Sequence, residues 1–183
     1  MGAGSAARLR FRAVRQSIDR HRHNDYVVLM IPTLIDLDTS VPWQVLPPGI
    51  YDTTRAELAA RFAVTPHRRR LLDGFERAAL SLAKAGCRTA YIDGSFTTGK
   101  PHPQDFDGCW EHDGVDLAIL DPVLKSFANK REAQKRKYLG EMFPAALENE
   151  PGMTFLALFQ IEKFSGLPKG ILRVLLEPGK GVI

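Results

Sequence analysis

Cysteine is scarce in this chain of 183 residues. Cys87 and Cys109 are the only two, too few for a disulfide framework, and they fit a reducing compartment such as the cytoplasm. Long hydrophobic runs are also missing. The longest, residues 26–31, ends at Pro32 and is far short of the roughly 20 residues needed to cross a bilayer. No small-residue cleavage site follows it, so neither a secretory signal nor a membrane partner is expected. Excess charge of one sign is absent from most of the chain. Arg8, Arg10, Arg12, Arg15, Arg20 and Arg22 face only Asp19 and Asp25 in residues 1–29, which accounts for the whole net charge of +4. Nineteen basic and nineteen acidic groups remain beyond residue 29, so the body of the protein is neutral. Internal repeats and low-complexity blocks are missing too, and 44% hydrophobic residues exclude a fully disordered chain.

What is present divides into three parts. Residues 1–29 read as a basic, flexible N-terminal arm, in which Leu9, Phe11, Val14 and Ile18 would share one side of a short helix. Such an arm suits phosphate backbones through counterion release. Residues 30–51 form a leader rich in proline (Pro32, Pro42, Pro47, Pro48), extended rather than helical because proline removes backbone donors. Residues 52–183 carry the domain. Thr54 and Glu57 have capping-box spacing and predict a short helix to about Phe62. Thr65 with Pro66 predicts a second helix start. Leu71, Leu72, Phe75, Ala79, Leu82 and Ala83 then recur at helical spacing, and Gly86 closes the helix. Strands are expected at residues 88–92, 105–111, 141–143, 154–160 and 170–177, with a helix over 121–137 whose far end is basic. This order predicts an α+β fold, a small mixed β-sheet flanked by helices.

One constellation carries chemistry. In Asp105-Phe106-Asp107 a strand would aim both carboxylates to one side and Phe106 to the core. Two like charges so close repel each other, and a divalent cation would relieve them. Mg²⁺ takes a few carboxylate oxygens together with water and substrate phosphates, so Asp105 and Asp107 are the candidate metal ligands. Upstream, Gly94-Ser95-Phe96-Thr97-Thr98-Gly99 leaves the preceding strand. Its glycines allow backbone N–H groups close to a phosphate, and Lys100 adds a positive charge. Gly94, Ser95, Gly99 and Lys100 are therefore the candidate nucleotide contacts.

This pattern, Gly94-Ser95, Gly99 and then Asp105-Phe106-Asp107, resembles the active-site signature of the DNA polymerase beta-like nucleotidyltransferase superfamily. The stretches Leu46-Pro-Pro-Gly-Ile-Tyr, Pro66-His-Arg-Arg-Arg-Leu-Leu, Tyr91-Ile-Asp-Gly-Ser-Phe and Pro168-Lys-Gly-Ile also look like an uncharacterised bacterial family with this core. The resemblance spans about residues 46–177. It implies a nucleotidyltransferase-like fold, Mg²⁺ as cofactor, a nucleoside triphosphate as substrate, and Ser95 as a triphosphate contact. It also implies a third carboxylate from a later strand, for which Glu141 leads over Glu111, Asp113 and Asp116. The activity implied is transfer of a nucleoside monophosphate to an acceptor, protein or RNA, with Asp105, Asp107 and Glu141 catalytic. Because the superfamily includes toxins of toxin–antitoxin pairs, the alternative is a non-catalytic protein that binds a cognate toxin or antitoxin, or serves phage defence.

Rival readings are weaker. Asp-Phe-Asp-Gly also suits a haloacid-dehalogenase-like phosphatase, but Pro101-His102-Pro103-Gln104 replaces the apolar strand that should precede its nucleophile. Cys109 and His112 have Cys-x-x-His spacing, with Cys87 and His102 as further zinc candidates, yet a second close pair is missing. His67 and Arg68–Arg70 place positive charge at a helix start, against its dipole; a solvated face or a phosphate contact would explain them.

Overall fold

A computed structural model describes residues 31–183; the basic arm expected at 1–29 lies outside the described residues. Strand β1 (Gly49–Thr53) runs into helix α1 (Arg55–Phe62). Thr54 caps this helix: its hydroxyl accepts from Glu57 N at 3.3 Å while its own N–H donates to Glu57 Oε2 at 2.7 Å, the reciprocal bonding expected of the pair. Helix α2 (Pro66–Lys84) follows, capped by Thr65 with Pro66 at its first position. Its expected apolar positions are all buried, together with Ala78. Strands β2 (Thr89–Asp93) and β3 (Phe106–Trp110), helix α3 (Glu132–Tyr138) and strand β4 (Gly140–Pro144) come next. A small hairpin, β5 (Glu148–Glu150) and β6 (Met153–Thr154), precedes helix α4 (Phe155–Leu158), and β7 (Gly170–Glu177) and β8 (Gly181–Val182) complete the chain.

The main sheet has the order β1-β7-β2-β3-β4, with β8 paired to the end of β7. The β1/β7 and β3/β4 pairs are parallel, while β7/β2 and β2/β3 are antiparallel. The fold is thus α+β with a mixed sheet. One face packs on the helices: Phe75, Ala79 and Leu82 of α2 meet Ile92, Phe106, Met142 and Leu172 in a single cluster. Each fully buried Leu or Phe in it contributes about 1.5–3 kcal/mol. The opposite face carries Tyr91, Cys109, Phe143 and Ile171, covered by Phe155, Leu156 and Phe159. No helix among the described residues is long and apolar enough to cross a membrane.

Three expectations are corrected. Residues 154–160 are not a strand: Thr154 caps α4 by accepting from Ala157 N at 3.3 Å. Phe155, Leu156 and Phe159 then pack on the far face at helical spacing. Residues 121–137 are not one helix. A 3₁₀ turn over Pro122–Lys125 and a bend at Asn129, Lys130 and Arg131 (φ 49°, 54° and 59°) precede α3. Between 129 and 137 only Ala133 is apolar, so a continued helix would have no face to bury. The left-handed bend costs roughly 1–2 kcal/mol per residue but brings Arg131 and Lys135 to the sheet. Finally, the expected end of the leader at residue 51 falls inside β1, and Val45 and Leu46 are buried.

Candidate functional site

The register of β2, β3 and β4 builds a row of carboxylates. Asp93 faces Asp107 across the antiparallel β2/β3 pair, and Asp107 faces Glu141 across the parallel β3/β4 pair. Residues facing across a register share one side of a sheet, so the three project together, beside the row of Tyr91, Cys109 and Phe143. Asp105, two residues before Asp107, lies just ahead of β3. Glu141, expected as the third acid, is therefore the immediate neighbour of Asp107. Its competitors are engaged elsewhere: Glu111 accepts from the Tyr91 hydroxyl at 2.9 Å, Asp113 lies beside His112, and Asp116 accepts from Ala118 N at 2.8 Å.

The ends of the row are neutralised and its middle is not. At one end Lys169 Nζ lies 2.5 Å from Asp93 Oδ1 and donates to Phe159 O. Burial pushes the Asp93 carboxyl up while Lys169 pulls it down. At the other end Arg131 Nε is 2.6 Å from Glu141 Oε2 and Lys135 Nζ is 2.5 Å from Oε1, with Asp105 Oδ2 3.3 Å from the same ammonium. Asp107 has no side-chain hydrogen bond or ion-pair partner among the described residues. Burial, then repulsion from Asp105, Asp93 and Glu141, pushes its carboxyl up to about 7. As the side chains stand, no three His, Cys, Asp or Glu groups among the described residues are gathered as ligands of one ion; Lys135 bridges Asp105 and Glu141 instead.

The glycine turn meets the row at one point. Gly94 opens a 3₁₀ turn, Gly94–Thr97, with φ +76°, and a Cβ there would collide with Asp107 Oδ2. Only glycine combines that conformation with that approach. Ser95 follows, half-buried, two residues after Asp93. Gly99 and Lys100 make their contacts with the leader: Gly99 N donates to Gln44 O at 2.8 Å, and the Lys100 ammonium lies 5.6 Å from the centre of the Trp43 ring.

Arg68 corrects an expectation. It is neither solvated nor free for phosphate. Its buried guanidinium donates to the carbonyls of Phe62, Phe96, Thr98 and Lys100 at 2.7–3.0 Å, tying α2 to the glycine turn. The zinc candidates do not converge, since Cys87 sits in the helix-side core and Cys109 on the opposite face. Sequence reasoning missed Asp93 and Lys169. Alternation from Tyr91 would have placed Asp93 on this face. Nothing local marks Lys169, which is 76 residues from its partner. Two clefts open elsewhere, one of about 450 Å³ lined by Arg55, Glu76, Arg77 and Lys180, and one of about 260 Å³ between Asp52, Glu57 and Arg173. Neither includes the carboxylate row.

Residues 41–175 match the model of a family of unknown function, DUF6932, and the chain belongs to that family. No curated protein and no solved structure matches it.

Proposed function

We propose that this DUF6932 protein is a Mg²⁺-dependent nucleotidyltransferase that transfers a nucleoside monophosphate from a nucleoside triphosphate to a protein or RNA acceptor. The observation that carries the reading is the unpartnered Asp107, repelled by three carboxylates and set against Gly94, whose left-handed φ and close approach disfavour a side chain. The donor set fits the cation: hard carboxylate oxygens, too few to enclose an ion, leave positions for water and phosphate. Asp105 and Asp107 would hold it, with Glu141 completing the set. When bound, Mg²⁺ supplies charge neutralisation at the phosphate oxygens and the pyrophosphate leaving group. Gly94 lets the turn run close against the Asp107 carboxylate, and the Ser95 hydroxyl donates to a phosphate of the triphosphate. Lys169 holds Asp93 in place at the end of β2. Glu141 completes the metal set, or instead accepts the proton of the acceptor hydroxyl, only after Arg131 and Lys135 leave its oxygens.

The ion pairs on Glu141 also favour a second reading, in which the neutralised row is inert and the protein acts by binding a toxin or antitoxin partner. Incubation with each labelled nucleoside triphosphate, Mg²⁺ and cell extract separates the two. The enzyme labels a macromolecule, and Asp105→Asn and Asp107→Asn each abolish the label without unfolding the protein. Labelling that survives in either variant removes the catalytic assignment; absence of label and of nucleotide binding leaves the partner-binding reading.

A further inference from the structure

We propose that Arg131 and Lys135 are the polyphosphate ligands of this site, held on Glu141 and Asp105 until a divalent cation takes over the carboxylates. The inference rests on the nucleotidyltransferase reading above and adds to it a resting state and a pair of anion-binding residues.

The asymmetry of burial is the first argument. The Glu141 side chain is 5% exposed, whereas Arg131 and Lys135 are 34% and 44% exposed. The anion is built into the sheet, and the cations reach it from solvent. Lys169 at the other end is different, 11% exposed and also bound to a backbone carbonyl, a fixed structural partner.

Their position is the second argument. Lys135 Nζ bridges Glu141 and Asp105, the neighbours of Asp107 across β4 and along its own segment, and so stands where a cation shared by these carboxylates would stand. Charge is the third. With Asp107 ionised, as a cation beside it favours, Asp93, Asp105, Asp107 and Glu141 face Lys169, Arg131 and Lys135, four negative charges against three positive. Arrival of a divalent cation makes the positive charges exceed the negative ones by one. The least buried cations are then repelled and released toward solvent, where a bound triphosphate presents its oxygens. A guanidinium and an ammonium are the side chains suited to that anion. Only their side chains need swing, since both are partly exposed, while α3 itself stays fixed to β4 by the Met142 N–H that donates to Gln134 Oε1 at 2.8 Å.

The test uses the full chain, Mn²⁺ as the metal alone and inorganic tripolyphosphate as the anion, with binding followed by electron paramagnetic resonance and calorimetry. Lys135→Met and Arg131→Met remove a competing cation, so Mn²⁺ alone should bind about three- to tenfold more tightly. The same variants should bind Mn²⁺–tripolyphosphate about tenfold more weakly, the loss of one charge-assisted hydrogen bond. Glu141→Gln should do the reverse, weakening Mn²⁺ and strengthening metal-free tripolyphosphate binding. Lys135→Arg, which keeps the charge, should stay close to wild type in both. Opposite shifts for the two ligands are a result that a merely structural role does not produce. Affinities that fall together, or do not move, overturn the inference and leave the enzyme reading standing. A wild-type protein that binds neither Mn²⁺ nor tripolyphosphate overturns both.

Discussion

Asp107 shows how a single side chain can be kept at odds with its surroundings. Its carboxyl is raised to about 7 by burial and by Asp105, Asp93 and Glu141. The folded state therefore holds a proton that the unfolded state has released above about pH 4. The sign follows: relative to an ordinary aspartate, stability is retained below about pH 4 and lost as pH rises through about 7. With chelator present, Asp107→Asn should raise Tm at pH 8 by at least about 3 °C, roughly what 1 kcal/mol is worth in a chain of this length. At pH 4 the two proteins should melt together. Equal melting at pH 8 would show that the repulsion is not there. Gly94→Ala acts at the same spot by a different cause. The left-handed φ and the collision with Asp107 together should cost at least about 1–2 kcal/mol and remove metal binding, read by denaturant unfolding and Mn²⁺ titration.

At the scale of elements, the glycine turn is held by a side chain from a helix. The four carbonyls on Arg68 come from the end of α1 and from the turn after β2. A planar fork reaches them all; an ammonium does not. Arg68→Met should destabilise the fold by about 3 kcal/mol, since buried carbonyls lose charged donors, and Arg68→Lys should recover less than half. Urea unfolding of both variants checks this, and full rescue by lysine would argue against the clasp. Helix α3 depends on a glycine in the same manner. A Cβ at Gly74 would run into the Tyr138 carbonyl, so Gly74→Ala should push α3, with Lys135, away from α2.

For the whole molecule, the leader is part of the domain. Leu46 O accepts from Gly170 N at 2.9 Å and Gln44 O holds Gly99, while Val45 and Leu46 are buried. Removing residues 1–48 should cost at least about 3 kcal/mol from those two side chains alone and loosen the glycine turn, seen as lower Tm and weaker nucleotide binding. The thiols report on the same global structure. Burial raises Cys87 to about 11 and Cys109 further, on opposite faces of the sheet. Neither should react with an aromatic disulfide at pH 8 until the protein unfolds. Rapid reaction of one thiol in the native protein would show that its face opens on its own.

The sequence by itself determined whatever depends on neighbours within a few residues. The Thr54–Glu57 box and Thr65-Pro66 set the starts of α1 and α2, the apolar period marked the buried face of α2, and the β-rich run at 170–177 is strand β7. Alternation put Phe106 in the core and Asp107 on the opposite side of β3, with a glycine turn before it. Tertiary structure decided the rest. Whether Thr154 begins a strand or a helix depended on Phe143 being there to pack against. Glu141 became the neighbour of Asp107 through parallel register, which a sequence does not display. The site's cations come from α3 and from Lys169, brought to the carboxylates by pairing of strands far apart in the chain. Local rules act through the covalent backbone over one or two turns, whereas charge acts through space, and space is arranged only once the sheet has formed.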